Sequence, residues 1–384
     1  MRNWKEGKRM QKSINFALVG HMFMGRAHSH ALNDVTMFMK DLGIRPVLKT
    51  ICGVGAGLED TRERFHWEKS ETDWHKVVTD PEIDVVSIAV PGFLHKEIAV
   101  EAARNGKHIL SEKPLARNYE EAYEMYEAAR DNHVLNMVNF NYRRIPAVAL
   151  AKQLIEEGQL GQIVSYKGFY QQDWALFGAP MSWRYKSEMV GKGPLEMGIH
   201  ITDMARWLVG EIDEVVSVMK TVVKERQTAD GSKEAVTNDD NTVWLARFKD
   251  GFMGMFEASR AHMGRKNFQW FEINGTKGSL RFELERMNEL NVYLSNDCED
   301  RRGFRNIIVT EEMHQYMKNW WPAGHMLGWE HTVLHQYYEF LKAFEEGSMP
   351  SPSFEDGMKA QKVLDAVVKS AEENRWVSVD EIGR

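Results

Sequence analysis

The sequence predicts an α/β chain in two parts: a parallel sheet with crossover helices, then an α+β unit on a large open, mostly antiparallel sheet. Three observations carry this. Apolar strand-like runs alternate with helical patterns as far as about residue 140, the signature of a parallel sheet. Beyond about residue 160, strand-like runs follow one another with few helices between them, and such strands pair antiparallel. The length of 384 residues exceeds the usual single domain. The expected units are 13–140 and 141–384, with the C-terminal helices available to pack back on the first unit.

In the first unit, Ile14–Val19 is a short apolar run ending in Gly20, and a helix is expected from near Gly25. Val47–Val54 and Asp84–Val90 follow as strands; Pro91 and Gly92 stop the latter, and His95–Asn105 reads as a helix closed by Gly106. Lys107–Ser111, Tyr119–Arg130 and Val134–Phe140 continue as strand, helix and strand. In the second unit the expected strands are Ile163–Tyr170, Val215–Val223, Thr242–Phe248, Phe252–Ala258, Phe268–Ile273 and Ser279–Phe282, interrupted by a helix over Met197–Val209. Helical periodicity returns over 328–346 and 355–374. There is no internal repeat.

Composition narrows the function classes. Hydrophobic residues at 43% and charged residues at 27% describe an ordinary globular protein. A net charge of −7 argues against nucleic acid or an anionic membrane as partner. Cys52 and Cys298 cannot build a disulfide framework, so reduced thiols in the cytoplasm are expected. Residues 1–12 are basic without a following apolar run and read as a loose extension, with Met10 an alternative start, rather than a signal peptide. No stretch is long and apolar enough to span a bilayer.

Four motifs carry chemistry. Gly20-His21-Met22-Phe23-Met24-Gly25 lies between a strand and a helix, where a dinucleotide fingerprint places glycines for a tight turn and for approach of backbone N–H groups to a pyrophosphate. Met22 occupies the middle glycine position. The second strand ends in Cys52-Gly53-Val54-Gly55, without the acid that would hold an adenosine ribose. Arg62 and Arg64, on the next helix, read as a solvated face, so NAD is expected and NADP stays open. Glu112-Lys113-Pro114 follows a strand, at the end where open α/β sheets hold ligands, and Lys113 is suited to stabilising an alkoxide as hydride leaves. Glu196 and His200, four apart near the start of a helix, share a face. Histidine suits acceptance of a hydroxyl proton, and no third residue has metal-ligand spacing, so no metal is expected.

Together these residues resemble the Gfo/Idh/MocA oxidoreductase family (glucose–fructose oxidoreductase/inositol dehydrogenase-like) from about Ile14 to the C-terminus. The resemblance rests on Gly20 to Ser29, Glu112 to Pro114, Asn139 to Arg144, Ser182 to Arg184, the Glu196/His200 helix with its Asp203 to Leu208 continuation, and Ser353 to Gly357. It implies an N-terminal Rossmann domain and a C-terminal domain whose open sheet mediates a homo-oligomer, dimer or tetramer. Carried over, Lys113, His200 and Glu196 are the catalytic candidates. Gly20, Met22, Phe23, Met24, Gly25, Pro91, His95, Glu112 and Lys113 would line the cofactor. Gln172-Asp173-Trp174 and Asn141-Tyr142-Arg143 look most like members that oxidise sugars, including the anhydrosugar levoglucosan, at ring C3. Substrate candidates are therefore Tyr142, Asp173, Trp174, Arg184, Glu196 and His200. For Trp174 stacking on a sugar competes with packing, and for Arg184 an anionic substrate group competes with an ion pair. Four positions depart from the family pattern: Met22, Gly53, Gly92 in place of asparagine, and Glu196 in place of aspartate.

The expected activity is nicotinamide-dependent oxidation or reduction of a hydroxyl of a sugar, anhydrosugar or inositol. Two alternatives use the same residues. One is glycoside cleavage by transient C3 oxidation and elimination; the other is a catalytically silent sugar- or nucleotide-binding sensor, to which retention of Lys113, Glu196 and His200 runs counter. His28 and His30 read as structural, and Asn319-Trp320-Trp321-Pro322 reads as packing, an oligomer contact or a pocket cap.

Overall fold

The computed structural model describes residues 12–176, 178–192 and 195–383. Most of the expected N-terminal extension lies outside the described residues, and its last residue, Lys12, already belongs to the first strand. Six parallel strands, β1 (Lys12–Val19), β2 (Ile44–Cys52), β3 (Lys69–Glu71), β4 (Val85–Ile88), β5 (His108–Ser111) and β6 (Asn136–Val138), form a sheet in the order β3-β2-β1-β4-β5-β6. Helices α1 (Phe23–Phe38), α2 (Leu58–Arg64), α3 (Trp74–Thr79), α4 (His95–Arg104) and α5 (Tyr119–Asp131) connect them. This is the doubly wound order, and its reversal between β1 and β4 opens a crevice at the strands' carboxyl ends.

Among the boundaries that differ from the sequence expectation, two have a plain physical reason. Strand β2 begins at Ile44 and runs through Pro46, because β3 pairs only with Thr50–Cys52 and leaves the strand an edge where Pro46 lacks its N–H. Helix α1 begins at Phe23 rather than near Gly25, so the second glycine lies inside its first turn.

After α6 (Pro146–Glu156), the chain builds β7 (Ile163–Gln171), a short α7 (Ser187–Val190), α8 (Leu195–Val209), β8 (Ile212–Lys220) and a ribbon of β9 (Glu225–Gln227) and β10 (Lys233–Ala235). Strands β11 (Asn241–Phe248), β12 (Met253–Ser259), β13 (Phe268–Gly275), β14 (Gly278–Glu283), β15 (Glu289–Leu294) and β16 (Arg305–Ile308) follow. With β7, β8 and a late β17 (Val377–Ser378) they make a nine-stranded sheet, order β16-β15-β14-β13-β7-β12-β11-β8-β17. Only the β7–β12 pair is parallel. One face is buried under α6, α8 and α10 (Phe354–Glu373) through Tyr166, Trp244, Phe256, Phe271 and Phe282. The other face leaves Val218, Val243, Leu245, Met253 and Met255 exposed. Helix α9 (Glu330–Glu346) returns to the first sheet, where Val333, Tyr337, Phe340 and Leu341 share a core with Phe16, Leu18 and Leu32.

The two sheets meet at the 3-10 turn Asn141–Arg144, whose side chains reach both α8 and α9. Asn141 donates to Thr332 Oγ1 at 2.6 Å, Arg143 Nε to Asp203 Oδ2 at 2.8 Å, and Arg144 Nε to Gln336 Oε1 at 2.9 Å. Tyr142 is thereby held toward α8. Arg143 and Asp203 are both buried, and burial raises the Asp203 carboxyl although Arg143 opposes it. Replacing Asp203 with alanine leaves the buried Arg143 guanidinium without its close partner, with Asp356 Oδ1, 3.6 Å away, as its remaining carboxylate. A loss of about 3–5 kcal/mol is expected, read as a lower urea midpoint at unchanged slope.

Candidate active site

The turn from β1 into α1 closes on its two glycines. Gly20 has φ +114°, and a Cβ there would lie 2.2 Å from the Ala89 carbonyl oxygen; a Cβ on Gly25 would lie 2.1 Å from the Gly20 carbonyl oxygen. Met22 is the N-cap residue of α1, and no side-chain hydrogen bond caps the helix, so its first-turn N–H groups are open to an anionic acceptor. Met22 and Phe23 are exposed and line an apolar recess with Phe65 and Trp329, and Phe23 stacks on Trp329 at 5.4 Å. Met24 is half-buried. Pro91 opens the 3-10 turn Gly92–Leu94 just after β4. Glycine cradle, uncapped helix and switch-point crevice together fit a dinucleotide. His95 sits behind that turn, its Nδ1 2.9 Å from Pro114 O and its Nε2 2.9 Å from Val90 O, where it braces the Pro91 loop against the Lys113-Pro114 loop. The Lys113–Pro114 bond is cis.

Beneath Lys113 runs a buried polar row. Ser87 Oγ is 2.8 Å from Tyr337 Oη, which is 2.7 Å from His28 Nδ1, and His28 Nε2 is 2.9 Å from Glu112 Oε1. One assignment satisfies every member: Ser87 donates to Tyr337, Tyr337 to His28 Nδ1, and His28 Nε2–H to Glu112. Asn139 Nδ2 and the Lys113 backbone N–H also donate to Glu112. Burial pushes the Glu112 carboxyl up, but the His28 hydrogen bond and the neighbouring charges outweigh it and hold the carboxyl below its usual value. His28 is thus structural, as expected, and Tyr337 of α9 is the partner that sequence reading did not supply.

Across the crevice, Lys113 Nζ donates to the Glu196 backbone carbonyl at 3.0 Å. Burial pulls the Lys113 ammonium below the ordinary lysine value, against the opposing pull of Glu112 and Glu196. His200 lies one turn along α8, with its ring 4.5 Å from that of Tyr142. Burial, reinforced by the Lys113 charge, holds its imidazolium far below the ordinary histidine value, so the ring is neutral and can accept a proton. Glu196 Oε1 accepts from Arg184 Nε at 3.1 Å, and the exposed guanidinium lies over Trp183 at 4.4 Å.

Tyr142 begins a second polar row. Its Oη is 3.1 Å from Tyr170 Oη, and Tyr170 Oη and Gln172 Nε2 each donate to Asn267 Oδ1 at 2.7 Å. Trp174 Nε1 donates to Gln172 Oε1 at 2.6 Å, and Trp329 Nε1 approaches Tyr142 Oη at 3.4 Å. Hydrogen bonds thus join Lys113, Glu196 and Arg184, and His200 of the same helix leads through Tyr142, Tyr170, Asn267 and Gln172 to Trp174. The Asp173 carboxylate is not joined to their hydrogen bonds: it pairs with Lys266 at 2.6 Å and accepts from Gly264 N at 3.2 Å. Tyr170, Asn267 and Trp329 were missed, since each is an unremarkable residue of a strand or loop far along the chain. Trp320 packs on Phe38 at 4.3 Å and donates to His335 Nε2, so this tryptophan is a packing residue, while Trp321 stays exposed. Arg62 and Arg64 are tied to Glu59 and Asp60. Among the described residues no cluster of His, Cys, Asp or Glu is arranged to hold a metal ion, and no helix is long and apolar enough to cross a membrane.

Residues 14–140 match the family model described as Oxidoreductase family, NAD-binding Rossmann fold, and residues 152–379 match Oxidoreductase family, C-terminal alpha/beta domain. The chain is 42% identical to levoglucosan dehydrogenase of Pseudarthrobacter phenanthrenivorans, over 97% of this chain and 99% of that protein. It is 32% identical to scyllo-inositol 2-dehydrogenase (NAD(+)) of Bacillus subtilis, over 71% of this chain and 74% of that one. Among solved structures, levoglucosan dehydrogenase in complex with NADH and levoglucosan superposes with a TM-score of 0.93 at 42% identity, covering 97% of this chain and 100% of that one.

Proposed function

The chain belongs to the Gfo/Idh/MocA oxidoreductase family, and from that premise we propose that it oxidises a ring hydroxyl of a sugar or anhydrosugar of the levoglucosan class with NAD as acceptor. The observation that carries the reading is the Lys113 ammonium bonded to the Glu196 carbonyl, with a neutral His200 one helical turn on and close enough to feel the Lys113 charge. NAD, when bound, accepts the hydride. His200 takes the hydroxyl proton, because burial keeps its ring unprotonated. Lys113 donates to the same oxygen as negative charge develops there, and its bond to the Glu196 carbonyl sets its direction. Glu196, held by Arg184, and the Tyr142–Tyr170–Asn267 row offer acceptors and donors to neighbouring hydroxyls, with Trp174 beside them for a CH face. In this reading residues 13–140 serve the cofactor and 141–384 the substrate and subunit contacts. NAD+ reduction screened over levoglucosan, free pyranoses and inositols tests the reading; turnover of inositols alone would move the substrate class.

The same proposal includes a homo-oligomer closed through the open sheet face. Exposed Leu245 and Met255 lie side by side across β11 and β12, next to half-buried Val216 of β8, and exposed apolar surface of this kind marks association faces. Leu245→Lys is expected to yield monomers by light scattering with the fold retained. An unchanged oligomer would place the contact elsewhere.

A further inference from the structure

The end of β2 has an unusual composition for a dinucleotide crevice, and the structure supplies a physical reason. Strand β2 is followed at once by Gly53, the position at which a carboxylate ordinarily holds the adenosine ribose. A Cβ on Gly53 would lie 2.2 Å from His21 Nδ1 and 3.1 Å from His21 Cε1. Any side chain at position 53, an acid included, is therefore excluded while His21 keeps its place. His21 is itself 4% exposed, and its Nε2 is buried with no hydrogen-bond partner among the described residues. A buried polar nitrogen left unpaired is disfavoured and calls for an explanation.

The carboxylates nearby already have partners. Glu71 Oε1 accepts from the backbone N–H groups of Thr72 and Asp73, at 2.8 and 3.1 Å. Glu59 is bound by Arg62 Nε at 2.7 Å and by the Ser70 hydroxyl. His21 is the group that the β1–α1 turn brings against the end of β2 with hydrogen-bonding capacity to spare. We propose that His21 takes the place of the missing acid and hydrogen-bonds the adenosine ribose of bound NAD, with Gly53 present because the imidazole needs its space. The assignment rests on the cofactor reading above. An imidazole nitrogen can donate to or accept from a ribose hydroxyl.

The test is binding to the full chain by intrinsic fluorescence, with NADH and with reduced nicotinamide mononucleotide, which has no adenosine. His21→Ala is expected to weaken NADH binding roughly tenfold and to leave the mononucleotide unaffected. His21→Gln, which keeps a donor and an acceptor, is expected to recover most of the loss, and it separates a lost hydrogen bond from a collapsed turn. NADH binding by His21→Ala equal to the parent's, or equal weakening of both ligands, would overturn the assignment. Failure of the unsubstituted chain to bind NADH would overturn the cofactor reading itself, a result distinguishable from either.

Discussion

His200→Asn is expected to lower kcat for sugar oxidation by roughly two to four orders of magnitude, with NADH affinity unchanged. Asparagine keeps a hydrogen-bonding side chain of similar reach but cannot accept a proton at neutral pH. The imidazole lies against Tyr142, Tyr170 and Phe140, so it is screened from water and faces the Lys113 charge. Both effects disfavour its protonated form. The active form is the neutral one, and a depressed pKa extends that form to lower pH. Activity should therefore fall only below the ordinary imidazole value of about 6.5. An acidic limb at or above that value would mean that another group is the base.

Lys113→Met is expected to lower kcat/KM by roughly two to three orders of magnitude, again with cofactor binding retained. Lys113→Arg should not restore activity, because a planar guanidinium does not occupy the space of a compact ammonium. Lys113 acts as a cation whose pKa burial has lowered, so activity should be lost as pH rises through a value below the ordinary lysine range. The two limbs are coupled. Removing the Lys113 charge removes one of the influences that depress His200, and the residual activity of Lys113→Met should show its acidic limb moved toward higher pH. An unmoved limb would separate the two groups and weaken the account of the crevice.

How much of this was legible in the sequence follows from which interactions are local. The strand-to-helix alternation, the paired glycines, Glu112-Lys113-Pro114 and the Glu196/His200 spacing are short-range patterns, and each is present in the structure, with shifts of a few residues at element ends. β3 was not visible because Lys69-Ser70-Glu71 carries no apolar alternation and pairs only three residues of a neighbour. β15 and β16 went unread although β15 alternates buried and half-buried residues, since both are short and lie far from the chemistry. The site's second wall was hidden for a different reason. Tyr170, Asn267 and Trp329 come from a strand, a loop and a helix start, and nothing local distinguishes them from packing residues until Tyr142 collects them. The same holds for the row under Glu112, which joins Ser87, His28 and Tyr337 from β4, α1 and α9. The composition of the β2 end was visible as a departure, but its cause, the His21 ring beside Gly53, needed three dimensions.

The central claim is that hydride leaves a sugar carbon and stays on the cofactor. The most direct measurement is mass spectrometry of both products after incubation of the enzyme with NAD+ and carbon-deuterated levoglucosan. The account predicts one deuterated NADH for each molecule of ketosugar. Rearranged or cleaved sugar without accumulated NADH would contradict it in favour of a redox cycle, and binding of sugar and cofactor without any turnover would contradict it in favour of a sensor.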